Sequence, residues 1–206
     1  MKTKIFLFLM IMMSVNIIAQ DIKLPVAQKN GGKPLMQVLN ERMSIREYSQ
    51  KEISMQTLSN LLWAAWGFNR DFKRTAPSAM DKQEIDIYVF LKKGTYLYLA
   101  KENILKFINN KDLRKTTGMQ PYVETAPLNI VYIANADKAA GNSLEEKMPY
   151  MYADAAFIAE NVYLFCASFD LGCVVRGYIN RSELKKELQL KPNQEITLAQ
   201  TVGYKK

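Results

Sequence analysis

The segment MPYMYADAAFIAENVYLFCASFD, Met148 to Asp170, constrains this chain more than any other. Met151, Ala155, Ile158, Val162, Phe165 and Phe169 recur at helical spacing along one stripe, and Ala156, Ala159 and Tyr163 carry apolar surface onto the other faces. A helix apolar nearly all round must be covered on more than one side. It belongs at the centre of a core or in a dimer interface, because one sheet face cannot cover it.

The flanking segments supply material for a sheet. LNIVYIAN, Leu128 to Asn135, is apolar and β-branched over the length of a buried strand. DIYVFLKKGTYLYLAKENI reads as two β runs around Lys93 and Gly94, and LGCVVRGYI and EITLAQTVGY as further strands. Leu35, Met36, Val38 and Leu39 suggest a short helix. Ser54 is a reasonable N-cap for a second one, through Leu58, Leu61, Leu62, Ala65 and Trp66, which Gly67 stops. A weaker helix is expected around NKDLRKTT, before Gly118. An amphipathic one is expected over NRSELKKELQL, with Asn180 as cap and Glu183 at its third position. NRDFKRTAPSAMDKQ reads as a polar loop broken by Pro77. Helices and strands are mixed without strict βαβ alternation. The expected class is α+β, a central antiparallel or mixed sheet with helices on both faces.

The first residues have a separate character. Lys2 and Lys4 precede an unbroken apolar run from Ile5 to Met13, and the small residue Ala19 stands before Gln20. That pattern is a secretory signal peptide over residues 1–19, with a retained anchor as the other reading. The run is short against the roughly 20 residues of a membrane span. Residues 20–33, with Gly31 and Gly32, form an N-terminal arm, and residues 34–206 one domain. The mature protein is expected to be exported, periplasmic or secreted, with no membrane association once the leader is removed. Cys166 and Cys173 could pair there. Their places, one in a helical and one in a strand-like run, favour two separate buried thiols.

Composition removes whole classes of chemistry. The chain has no histidine, so a Ser-His-Asp triad, a Cys-His pair and a His-ligated zinc site are all excluded. An enzyme built this way leaves its chemistry to a cofactor. Neither GxGxxG nor GxxxxGK occurs among the nine glycines, which argues against a dinucleotide or P-loop site. The net charge of +8 drops to +6 without Lys2 and Lys4, and the basic residues are scattered. No nucleic-acid partner is expected from that pattern, and a small anionic ligand suits it as well as any polymer.

ERMSIREY, Glu41 to Tyr48, places Arg42, Ser44 and Arg46 at alternate positions between two helical runs. Solvated surface is the plain reading of such a run. In an extended segment, however, alternate side chains share a side, and three polar groups can face one ligand.

ERMSIREY, followed by LLWAAWG, TAPSAM, YADAAFIAENVYLFCASFDLGCVVRG and a last strand ending in GY, resembles the FMN-dependent nitroreductase family. The likeness is strongest to the branch with the flavin oxidases of peptide-heterocycle synthesis. It runs in order over essentially the whole mature chain. It implies a homodimer with FMN at the subunit interface. A small-molecule donor would reduce the flavin, and an acceptor such as a nitroaromatic or quinone would reoxidise it in a ping-pong cycle. No side chain need act as nucleophile or base.

By this resemblance Arg42 holds the FMN phosphate, Ser44 the phosphate or ribityl chain, and Arg46 the N1/O2 edge of the ring. An Arg fork matches phosphate oxygens, and a cation at N1 stabilises the charge gained on reduction. Pro77, Ser78 and Ala79 match a loop that reaches the flavin of the partner subunit, an ordinary turn being the alternative. Gln120 matches an amide that bonds the pyrimidine, or is a plain loop glutamine. The backbone of Val175, Arg176 and Gly177 matches the segment beside flavin N5. Lys205 or Lys206 completes the phosphate clamp, or frays as a terminus. Arg176 replaces a residue often acidic in the family, which implies a more positive entrance that selects anionic substrates. Asp81 replaces a frequent Asn, and no proline follows GY. A flavin store or sensor without turnover, and a basic surface-interaction protein without flavin, are the competing classes.

Overall fold

A computed structural model describes residues 20–206. The signal peptide expected over residues 1–19 lies outside the described residues. Among these described residues nine strands and five helices follow one another in the order β1 (Ile22–Lys23), α1 (Leu35–Glu41), α2 (Met55–Trp66), β2 (Phe68–Arg70), β3 (Lys73–Arg74), β4 (Ile85–Leu91), β5 (Gly94–Leu99), β6 (Ile104–Asn109), α3 (Tyr122–Thr125), β7 (Leu128–Asn135), α4 (Leu144–Ser168), β8 (Leu171–Arg176), α5 (Arg181–Glu187) and β9 (Gln194–Tyr204). Seven strands form one sheet in the order β1-β6-β5-β4-β7-β9-β8, and β2 pairs β3 in a separate hairpin. Every pairing in the large sheet is antiparallel.

β7 lies inside the sheet between β4 and β9, and all its residues but Asn135 are buried. Its continuous apolar run is what a strand covered on both faces requires. On one face α2 and α4 cover a core of Leu58, Leu61, Leu62, Ile87, Ile130, Ile158 and Val162. On the other, α5 closes a smaller core of Phe90, Val131, Ile133, Leu184 and Ile196.

The helix ends explain their own positions. Ser54 accepts from Thr57 N at 3.1 Å, and at Gly67 a Cβ would stand 2.4 Å from Trp63 Cδ1, so only glycine lets the chain turn there. α4 begins a turn before the expected Met148 because Ser143 caps it, accepting from Glu146 N at 3.2 Å. Pro149, the sixth residue of α4, lies past the first turn and gives up the N–H that would bond the Glu145 carbonyl. Along α4, Met151, Ala155, Ile158 and Val162 are fully buried whereas Phe157 and Phe169 stay open, so the protomer covers only part of the apolar circumference.

Three local expectations change. The helix expected around NKDLRKTT is a single 3-10 turn, Arg114–Thr117, after a strand that continues to Asn109. Asp112 grips Arg114 at 2.8 and 2.7 Å, and the hydroxyls of Thr116 and Thr117 bond back to the carbonyls of Leu113 and Arg114. These local bonds replace a helical ladder. The 69–83 loop holds the β2–β3 hairpin and a 3-10 turn, Ala79–Asp81. The 20–33 arm pairs with β6 through Ile22 and Lys23, and Lys33 ties it to Glu41 at 2.8 Å and Asp170 at 2.6 Å.

Candidate active site

The Arg42–Tyr48 segment lies extended at the sheet edge. Ser44 bridges Cys173 of β8 in parallel, with Ile45 N donating to Cys173 O at 2.9 Å, and Tyr48 bridges Lys205 beyond the end of β9. Ile45 packs so closely on β8 that a Cβ on Gly172 would stand 2.7 Å from its Cγ2. With Ile45 turned into the sheet, its neighbours Ser44 and Arg46 are free for other work.

Arg42 and Ser44 converge on Tyr163 of α4. The Arg42 guanidinium lies 5.3 Å from the Tyr163 ring centre, and Ser44 Oγ is 2.8 Å from its hydroxyl. The same hydroxyl accepts from Val175 N at 2.9 Å. One tyrosine thus joins the Arg-x-Ser-x-Arg segment to the backbone of the VVRG strand. Sequence reasoning placed Tyr163 only on an apolar helix face, since nothing in its spacing reveals a hydroxyl turned to two other elements.

Ser44 and Arg46 also line an open cleft of about 380 Å³ with Ile45, Glu47, Lys205 and Lys206. Three cations there outnumber one carboxylate, and the backbone bridge to Tyr48 holds Lys205 in place rather than frayed. A phosphate group fits such a lining.

Arg176 corrects the expectation of a positive entrance. Its side chain is buried, and its guanidinium bonds Thr117 Oγ1 at 2.9 Å, Asn129 Oδ1 at 3.0 Å and Thr201 Oγ1. The strand turns it onto the sheet face opposite Cys173 and Val175, so it cannot meet substrate at an opening. Among the described residues no carboxylate pairs with it, and burial pulls its pKa down to about 10.

Gln120 stands beside Arg176. A Cβ on Gly118 would lie 2.4 Å from Arg176 Nε and 2.9 Å from Gln120 Oε1, and both atoms are buried without a hydrogen-bond partner among the described residues. Gln120 also borders a cleft of about 260 Å³ with Met119, Pro121 and Asn180. An orphaned amide oxygen at the edge of a cleft suits a ligand with polar ring edges. Gly177 is exposed, with empty space where a Cβ would point, so backbone there is open to close approach. These features fit the flavin that the resemblance implies.

Pro77, Ser78 and Ala79 are not brought to this site within the protomer. Their loop is anchored on α4 through Ala79 N, which donates to Asp154 Oδ2 at 2.8 Å. Asp154 precedes Tyr163 by nine residues, about 13 Å along the helix. Asp81 pairs with Lys73 at 2.5 Å, which holds its carboxyl below the usual range. Cys166 and Cys173 are both free and buried, as two separate thiols require. Among the described residues no cluster of three His, Cys, Asp or Glu could hold a metal, and no helix is long and apolar enough to cross a membrane.

Residues 39–204 match the model of the nitroreductase family. A Methanocaldococcus jannaschii protein assigned by name to the nitroreductases is 28% identical over 169 residues, 76% of this chain and 85% of its own. A Ralstonia eutropha crystal structure, likewise named for a nitroreductase, superposes with a TM-score of 0.85 at 40% identity, covering 91% of this chain and 90% of the other. A Desulfovibrio desulfuricans nitroreductase-type structure, solved in complex with FMN, shares the fold with a TM-score of 0.63 at 19% identity over 84% and 87% of the two chains. The chain belongs to the nitroreductase family and is an oxidoreductase of that type.

Proposed function

We propose that this protein is an exported FMN oxidoreductase, a homodimer that carries FMN at the subunit interface. The observation that carries the reading is the cleft at the sheet edge. There the alternating Ser44 and Arg46 meet Lys205 and Lys206, as a phosphate-bearing ligand needs. Support for the cofactor comes also from the FMN held by the D. desulfuricans protein of the same fold.

The chemistry supplied by bound FMN is transfer of two electrons from a small donor to a small acceptor, a nitroaromatic or a quinone, in a ping-pong cycle. The chain's own residues bind and orient. Lys205, Lys206 and Arg42 supply positive charge for the phosphate, and Ser44 a hydroxyl whose direction is set by Tyr163. Arg46, exposed in the protomer, provides a cation for the ring edge that gains charge on reduction. Gln120 would offer its amide to the pyrimidine, and the backbone from Val175 to Gly177, open where a Cβ on Gly177 would point, would face the ring.

Apolar surface supports the dimer. Leu35, Met36 and Leu39 on α1, Met43 after it, and Phe157 on α4 are all exposed in the protomer. A second copy would cover them and bring the Pro77–Ala79 loop to its neighbour's flavin. Export rests on Lys2, Lys4 and the apolar run that follows.

The test is spectroscopic. Purified protein should show bound-flavin absorbance, bleach with a reduced donor under nitrogen and recover with a quinone. Sedimentation should give a dimer. A colourless protein that takes up no added FMN, or an active FMN-loaded monomer, would sink the reading.

A further inference from the structure

Glu84 directly precedes β4, is 1% exposed, and among the described residues neither of its carboxylate oxygens has a hydrogen-bond partner. The carboxylate that acts on it is that of Asp154 of α4, itself 2% exposed. The charged groups on neighbouring elements are committed elsewhere. Arg74 of β3 bonds Gln83 Oε1 at 3.0 Å and the Trp66 carbonyl at 2.9 Å, and lies over the Trp66 and Phe68 rings. Lys73 pairs with Asp81. On β4 itself, Asp86 feels Lys138 and Arg74. Among the described residues no Lys or Arg pairs with Glu84 or Asp154.

Two buried carboxylates in contact without a cation cannot both be ionised at ordinary cost. Asp154 is fixed as an acceptor by the Ala79 N–H at 2.8 Å. Among the described residues Glu84 has no donor but its own backbone N–H to favour it as an anion, and as an acid it has an acceptor at hand in Asp154. The loop that Asp154 holds is strained. Met80, Asp81 and Gln83 all adopt left-handed backbone, with φ of 52°, 55° and 49°. Such geometry persists only where its surroundings impose it.

We propose that Glu84 and Asp154 share one proton, and that this proton fixes the Pro77–Ala79 loop in the position from which it serves the flavin of the partner subunit. The pair is a positioning device, and its functional half rests on the reading of that loop given above. Burial and the neighbouring Asp154 push the Glu84 carboxyl up to about 7. The proton therefore leaves to buffer near neutrality. Two anions then face each other, and their repulsion drives apart the carboxylates, drawing Asp154 off the Ala79 N–H that anchors the strained turn.

Amide hydrogen exchange at Ala79, followed by NMR on the flavin-free full chain from mildly acidic to mildly alkaline pH, tests the shared proton. In the wild type, protection should fall with rising pH beyond the intrinsic exchange rate, by up to about tenfold per unit, the limit for one linked proton. In Glu84→Gln, whose amide donates to Asp154 at every pH, protection should stay flat. A flat wild-type profile, or the same decline in both proteins, overturns the proposal. If Glu84→Gln does not fold, infrared difference spectroscopy of the wild type replaces it. A protonated-carboxyl band lost through neutrality supports the shared proton, and its absence overturns it. FMN titrations over the same range separate the two claims. Affinity that falls with pH in the wild type and not in Glu84→Gln supports the loop's place in the site. Affinity indifferent to pH while the Ala79 amide switches overturns that place.

Discussion

Two short segments flank α2, and both were expected to meet the flavin, but they are held in opposite ways. Arg42–Tyr48 is secured by its backbone, bridged to Cys173 on one side and Lys205 on the other, which leaves Ser44 and Arg46 free to line a cleft. Among the described residues Pro77–Gln83 has no sheet partner. It is secured by side chains beneath and within it, Asp154 at Ala79 N, Ser78 Oγ at Gln83 N at 3.0 Å and Lys73 at Asp81. A ladder presents side chains at fixed spacing and tolerates their replacement. A side-chain-anchored loop presents its backbone, and depends on each anchor.

The largest expected effect falls on the second segment. Asp154→Ala should cost roughly 2–4 kcal/mol, since it leaves the Ala79 N–H and the Glu84 carboxyl without a partner in the core. The urea midpoint measures it. A loss below about 0.5 kcal/mol would mean the loop holds itself, and the contrast fails.

The first segment should lose binding rather than stability. Arg42→Ala is expected to weaken oxidised and reduced FMN equally, by roughly 1.5–3 kcal/mol, or about tenfold to a hundredfold in affinity. Arg46→Ala should cost the reduced flavin more and lower the midpoint potential. Equal shifts of potential in both variants would make the arginines ordinary surface charge.

A pH titration of stability sharpens the second segment. Glu84 has a folded pKa of about 7 against an ordinary 4.5, so the fold holds more protons than the unfolded chain between those values. Its stabilising contribution is full below about 4.5 and is lost as pH rises through 7, by roughly 2–3 kcal/mol. Asp81 and Glu41, whose pKa values are lowered, act at more acidic pH and in the opposite sense. Glu84→Gln should flatten the decline, read from denaturation midpoints across the window.

Smaller effects complete the contrast. Met80→Gly should raise the unfolding free energy slightly, by no more than about 1 kcal/mol read from the urea midpoint, because glycine accepts φ of 52° without a Cβ clash. Gly177→Val should leave protomer stability within about 0.5 kcal/mol, as a Cβ there meets nothing. It should still abolish FMN binding. Intact binding in that variant would remove the VVRG turn from the site.

Much of the architecture was legible in the chain. The run LNIVYIAN, the caps Ser54 and Asn180 and the stop at Gly67 each act over a few residues, so local physics places them. β6 was missed because ILKFIN follows a turn and is only partly buried, too weak a pattern beside the NKDLRKTT segment. In the site, the alternation of Arg42, Ser44 and Arg46 could be read because extended backbone has a period of two.

Sequence alone determined a buried central strand, a helix too apolar for one face, and a histidine-free chemistry that leaves the reaction to a cofactor. The tertiary structure decided what those side chains touch. It buried Arg176 among Thr117, Asn129 and Thr201, turned the Tyr163 hydroxyl to Ser44 and Val175, and set Glu84 against Asp154, 70 residues away along the chain. Periodicity reports which way a residue faces within its own element. Which polar groups meet in the interior depends on how elements distant in sequence pack, and burial then makes each unpaired charge or hydroxyl decisive.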